Sequence, residues 1–170
     1  KTVGIIGCGH VGKDLTLLLK AFGCQVLAYD IVDYADFYAV NGVEAVSLED
    51  LLARSDVVTI HTPLDASTEN ILNAERLALM QPHALFINAA RGGLVDEAAL
   101  KTMLQEGSLA GAAFDVFASE PPQDMELIGL PNVLTTPHIG GSAEEAILNM
   151  GRAAIRGLEE HRLPDKNWPG

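Results

Sequence analysis

Residues 4–14 read GIIGCGHVGKD and hold four of the chain's sixteen glycines. A strand-forming run, TVGII at 2–6, leads into them, and VGKDLTLLLKAF at 11–22 leads out. In the second run Leu15, Leu18, Leu19 and Phe22 recur at helical spacing. A backbone this bare between a strand and a helix suits few folds. Gly7 permits a tight turn, Gly9 leaves the backbone open to close approach, and Gly12 lets the helix lie near the sheet. The N–H groups at the start of that helix, aided by its dipole, then face an anion. Taken alone, G-x-G-x-x-G also fits a structural glycine turn.

The same alternation continues. Strands are predicted at 25–30, 56–62, 84–90, 109–117 and 132–136, and helices at 47–55, 73–80, 95–107 and 142–162, the last interrupted by Gly151 and Gly157. Ser47 caps the second helix, with Asp50 three residues on in an approximate capping box. Residues 119–124, SEPPQD, are the most loop-like stretch. With 5% aromatic residues, the core must be built from Leu, Val, Ile and Ala. Nearly continuous apolar strands alternating with helices imply an α/β fold: a Rossmann-type, doubly wound parallel sheet with helices on both faces. The length of 170 residues suits a single domain.

Asp30 ends the second strand, eighteen residues after Gly12. That is the place for a carboxylate that takes ribose hydroxyls, so strand, glycines, helix, strand and acid together imply dinucleotide binding. Ile31, Val32 and Asp33 follow, with no arginine for a 2′-phosphate, so NAD is expected rather than NADP. The formal net charge of −12 argues against a nucleic-acid or anionic-membrane partner. No apolar run reaches membrane-spanning length. Cys8 and Cys24 make neither a disulfide framework nor a zinc pattern, which suits a reducing, cytoplasmic setting without a bound metal. Cys8 is expected to be a small packing residue.

Three later stretches put polar residues at predicted strand ends, where open α/β sheets bind ligands. In NAARGG (88–93), Arg91 can form a fork with a carboxylate, although alone it equally suits a surface. In AAFDVFASEPP (112–122), Asp115 is costly to bury without a partner, and Glu120 alone suits a loop. In TTPHIGGS (135–142), His138 is the side chain best matched to proton transfer near neutral pH. His61 is expected to pack beside the groove, and His83 and His161 to lie at the surface.

GCGHVG with Asp30, HTPLDAST, NAARGGLVDEAAL, GAAFDVFASEPP and PHIGGSAEEA occur in order along nearly the whole chain. In these motifs the chain resembles the nucleotide-binding domain of the D-isomer-specific 2-hydroxyacid dehydrogenases, and PHIGGSAEEA is similar to the phosphoglycerate branch. The resemblance implies that Arg91 grips a substrate carboxylate and C2 oxygen. It makes His138 the general acid/base and Glu120 its partner. His10 and Val11, with Gly7, Gly9 and Gly12, would seat the pyrophosphate, and Asp30 the adenosine ribose. Thr62 and Pro63 would line the adenine side. Ala89, Ala90, Asp115, Gly140 and Gly141, beside Arg91 and His138, would meet the nicotinamide half. Formate dehydrogenases of this fold carry glutamine where this chain has Glu120, which disfavours formate. Many relatives have arginine at the position of His10, so modest cofactor affinity is expected.

The resemblance also implies a homodimer, a small 2-hydroxy or 2-keto acid as substrate, and a substrate domain outside this chain. Residues 1–170 would be the NAD-binding domain alone, with the 142–162 helix leading toward that other domain. Such a chain is expected to bind NAD and turn over poorly. An NAD(H)-sensing, corepressor-like binding module on the same fold remains the alternative, because such proteins keep the same three residues.

Overall fold

A computed structural model describes residues 1–160. The last two residues of the helix expected over 142–162, of which His161 is one, lie outside the described residues. The chain forms two compact units, Lys1–Pro137 and His138–Gly170.

In the first unit the strands are β1 (Thr2–Ile6), β2 (Gln25–Tyr29), β3 (Val43–Ala45), β4 (Val57–Ile60), β5 (Leu85–Asn88), β6 (Gly111–Phe114) and β7 (Val133–Thr135). All pair in parallel, in the order β3-β2-β1-β4-β5-β6-β7. The helices between them are α1 (His10–Ala21), α2 (Ala35–Asn41), α3 (Leu48–Arg54), α4 (Ala74–Leu77), α5 (Glu97–Glu106) and α6 (Met125–Ile128). This is the expected doubly wound architecture.

Each strand divides its side chains between the two faces. Ile6, Leu27, Val58, Phe86 and Phe114 point to one core, which the buried leucines of α3, α4, α5 and α6 complete. Val3, Ile5, Val26 and Ala28 point to the other, closed by Leu15 and Leu19 of α1 and by Phe37 and Tyr38 of α2. That second face is covered over β1, β2 and β3. Farther across it, Leu85 and Leu134 are 45% and 68% exposed.

Three elements were not expected. Residues 31–46 contain α2 and β3, where the apolar pattern is short and mixed with tyrosine and acid. α6 is one turn long and starts at the end of the stretch expected to be loop; the Asp124 carboxylate accepts the Glu126 and Leu127 N–H groups and so caps it. The strand expected over 109–117 is shorter, because Asp115–Phe117 leave the sheet and Phe117 stacks on Phe114 at 5.3 Å between centroids.

In the second unit α7 spans Glu144–Glu159 and runs without interruption through Gly151 and Gly157. It buries no residue, and Ile147, Leu148, Met150, Ile155 and Leu158 are exposed.

Candidate functional site

Parallel strands deliver all their C-terminal ends to one edge of the sheet. The strand order reverses between β1 and β4, which opens a crevice at that edge. The glycine loop joins β1 to α1 there. Gly7 has φ +90 and donates its N–H to the Tyr29 carbonyl at 2.8 Å, which ties the turn to β2. A Cβ on Gly12 would run into the Gly7 carbonyl oxygen, whereas one on Gly9 would meet no protein atom within 4 Å. The first glycine contact is internal packing; the second is open space.

The start of α1 is bare, as are those of α2 and α7. Ser47, Asn73, Asp96 and Asp124 cap α3, α4, α5 and α6 through their side chains, but α1 begins after Gly9 with no side-chain cap. Its first-turn N–H groups are therefore left for an anion. His10 and Val11 stand exposed at this end.

Asp30 lies just past β2. Its Oδ2 accepts the Cys8 N–H at 2.6 Å and its Oδ1 the Val32 N–H at 2.8 Å. The carboxylate is thus fastened to the glycine loop itself. Beneath it Cys8 is fully buried, and burial pushes its thiol pKa up; burial also raises that of the Tyr38 hydroxyl. A thiol held protonated is a poor nucleophile, which agrees with packing. Thr16, also buried, donates its hydroxyl to the Gly12 carbonyl at 2.8 Å.

Beside the loop, Val11, His61, Thr62, Pro63, Leu64, Ala89, Ala90 and Arg91 line a cleft of about 560 Å³. Thr62 Oγ1 in its wall is buried and, among the described residues, has no hydrogen-bond partner. His61 packs into the wall with Nε2 3.0 Å from Thr59 Oγ1, and burial lowers its pKa. Arg91 is exposed and donates to the Ala90 carbonyl at 2.6 Å. The turn that carries it is held by Asn88, fully buried at the end of β5. Asn88 Nδ2 donates to the Arg91 carbonyl at 2.9 Å, and its Oδ1 accepts the Ala90 N–H at 3.1 Å. His83 is at the surface, 3.0 Å from Asp56.

Asp115 is buried beyond β6, and its Oδ1 accepts the Thr136 hydroxyl at 2.6 Å. Glu120, farther along, accepts the Phe117 N–H at 3.1 Å. Asn88 and Thr136 had no expected role; the available signal was a polar residue ending an apolar strand. The structure therefore gathers Gly7, Gly9, His10, Val11, Gly12, Asp30, Thr62, Pro63, Ala89, Ala90 and Arg91 at one sheet edge, with Asp115 and Glu120 following β6. His138, Gly140 and Gly141 belong to the second unit, where His138 has φ 54.

An uncapped helix start, free space over Gly9 and a fixed carboxylate at the end of β2 fit a dinucleotide. No helix among the described residues is long and apolar enough to cross a membrane.

Comparison with known proteins agrees. Residues 1–140 match the model of the D-isomer-specific 2-hydroxyacid dehydrogenase NAD-binding domain. A glycerate dehydrogenase of Methylorubrum extorquens is 44% identical over 161 residues, which is 93% of this chain and 49% of that one. A D-3-phosphoglycerate dehydrogenase of Methanocaldococcus jannaschii is 44% identical over 147 residues, 86% of this chain and 28% of the relative. The crystal structure of a D-isomer-specific 2-hydroxyacid dehydrogenase from Lactobacillus delbrueckii ssp. bulgaricus, in its NAD-complexed form, superposes with a TM-score of 0.85. It is 34% identical, with 96% of this chain and 54% of that one covered. The chain thus spans about half, or less, of the length of these relatives. By the extent of the family match and by its fold, the chain belongs to the D-isomer-specific 2-hydroxyacid dehydrogenase family, as an NAD-binding domain.

Proposed function

We propose that the complete protein interconverts a D-2-hydroxy acid and its 2-keto acid with NAD, and that this chain supplies the cofactor seat together with Arg91, Glu120 and His138. The observation that carries this reading is the meeting, at one sheet edge, of the uncapped α1 start, Asp30 and Arg91. The glycerate and phosphoglycerate dehydrogenases among the relatives support the substrate class.

NAD, when bound, supplies the hydride acceptor. In this reading the first turn of α1, with His10 and Val11, holds the pyrophosphate, and Asp30 accepts from the adenosine ribose hydroxyls. Thr62 and Pro63 line the adenine side, and Ala89, Ala90, Asp115, Gly140 and Gly141 the nicotinamide half. Arg91 forks onto the substrate carboxylate and C2 oxygen, which fixes which face of C2 is presented. A His138 ring nitrogen takes the C2 hydroxyl proton in oxidation and returns it in reduction. Glu120 favours the protonated imidazole and fixes its tautomer. Water exclusion falls to a substrate domain in the remaining length of the relatives, with residues 142–162 leading toward it. A homodimer formed through this domain and a cytoplasmic location complete the reading; two free cysteines support a reducing compartment.

The test is an assay of the complete protein on D-lactate, D-glycerate, D-3-phosphoglycerate and the matching 2-keto acids. At least one is expected to turn over, with His138→Ala lowering kcat by about 10²- to 10⁴-fold. No turnover, or an unchanged kcat in His138→Ala, rules the dehydrogenase out.

A further inference from the structure

Glu120 sits on the loop that follows β6, and that loop is braced from two sides. From α5, Glu97 reaches it: Oε1 of this first helical residue accepts the Ala118 N–H at 2.7 Å. One turn farther along α5, Lys101 pairs with Asp124 at 2.7 Å and with Glu126 at 3.3 Å, which holds the loop's far end. From the other side comes the turn that carries Arg91. A Cβ at Gly92 would run into the Phe117 carbonyl and the Ala118 nitrogen, so the two loops touch backbone to backbone. Glu120 itself accepts the N–H of Phe117, the residue just before Ala118.

Glu97 is an expensive choice for a merely solvated helix start. It is half-buried, and burial raises its carboxyl pKa, with the Asp124 carboxylate adding to the rise. A group desolvated in this way is retained where its hydrogen bond has a use.

We propose that Glu97 is a positioning residue: by accepting the Ala118 N–H it fixes the loop of Glu120 against the loop of Arg91. Its role depends on reach and on an acceptor oxygen, not on charge. The kinetic consequence rests on the dehydrogenase reading above; the structural one does not.

Two variants of the complete protein separate these properties. Glu97→Asp keeps the charge and suits a helix start but is one methylene shorter. Glu97→Gln keeps the reach and the acceptor but loses the charge. Deuterium exchange of residues 117–124, NADH affinity, kcat and KM are measured on both. In Glu97→Asp the loop is expected to exchange about tenfold faster or more, because the Ala118 N–H is left without its acceptor. Its kcat is expected to fall about tenfold or more, as misplacement of a supporting group does. NADH affinity stays within about twofold, since the α1 seat is separate. Glu97→Gln is expected to recover both loop exchange and kcat to within about threefold. Wild-type exchange in Glu97→Asp, or a Glu97→Gln as impaired as Glu97→Asp, overturns the proposal, and so does a parallel loss of NADH affinity. If the wild-type protein turns over no 2-keto acid, the dehydrogenase reading falls separately, and loop exchange alone decides whether Glu97 is the brace.

Discussion

Gly9 and Gly12 carry the same residue for opposite reasons. At Gly12 the space is filled by the chain's own Gly7 carbonyl; at Gly9 it is left empty. Gly12→Ala is therefore expected to lower Tm clearly, whereas Gly9→Ala leaves Tm within about 2–4 °C, the equivalent of 1 kcal/mol in a chain of this size. Gly9→Ala is nonetheless expected to weaken NADH binding strongly, because its methyl occupies the anion's approach. A calorimetric melt and a fluorescence titration of each variant check the pair. Thr62 offers a second contrast. Its orphaned Oγ1 costs about 1–3 kcal/mol, so Thr62→Val is expected to raise Tm by several degrees. The glycines and Asp30 were legible in the sequence because their spacing encodes a geometry. The bond from the Cys8 N–H to Asp30 was not, because a backbone donor leaves no mark on side-chain pattern. The Thr136 hydroxyl that meets Asp115 was also missed, because the pattern marks the buried acid and not its donor.

Helices announce themselves by their starts. The Ser47 hydroxyl accepts the Asp50 N–H at 3.1 Å, as the sequence led one to expect. Ser47→Ala is expected to cost about 1 kcal/mol, a drop of roughly 2–4 °C in Tm, with NADH affinity unchanged, since α3 packs on the face away from α1. An equal loss of affinity would show that the two faces are coupled. α1, α5 and the central strands were readable from their apolar period, and the seven-residue α3 from its Ser47 cap. α2, also seven residues long, has no side-chain cap to announce it, and β3 has only three residues. α7 was legible as a helix, but its two glycines did not break it, because fourteen other residues sustain its hydrogen bonding.

At the scale of the molecule, acid is the expected weakness. The carboxyls of Asp56, Asp65 and Asp124 are held below their ordinary range. The Lys1 ammonium and the Thr2 N–H do this for Asp56, Ser67 for Asp65, and Lys101 for Asp124. A carboxyl depressed in the folded state contributes stability above its unfolded pKa of about 3.9 and loses it as pH falls through the folded value. Tm is thus expected to be flat from pH 7 to about 5 and to fall below about 4. Asp56→Asn should soften that fall, because Asp56 ties the start of β1 to that of β4 and to His83. A Tm that rises on acidification would contradict this. The doubly wound parallel sheet was readable from strand–helix order alone, whereas its switch point between β1 and β4 came from the structure. Where the second unit carrying His138 begins was not, because no change in composition marks Pro137. The cofactor seat is tested by a titration of this chain with NADH and with NADPH, repeated on Asp30→Ala. NADH is expected to bind, NADPH to bind poorly, and Asp30→Ala to weaken NADH by about 10- to 100-fold. Equal binding of both cofactors, or NADH affinity indifferent to Asp30, would contradict that seat.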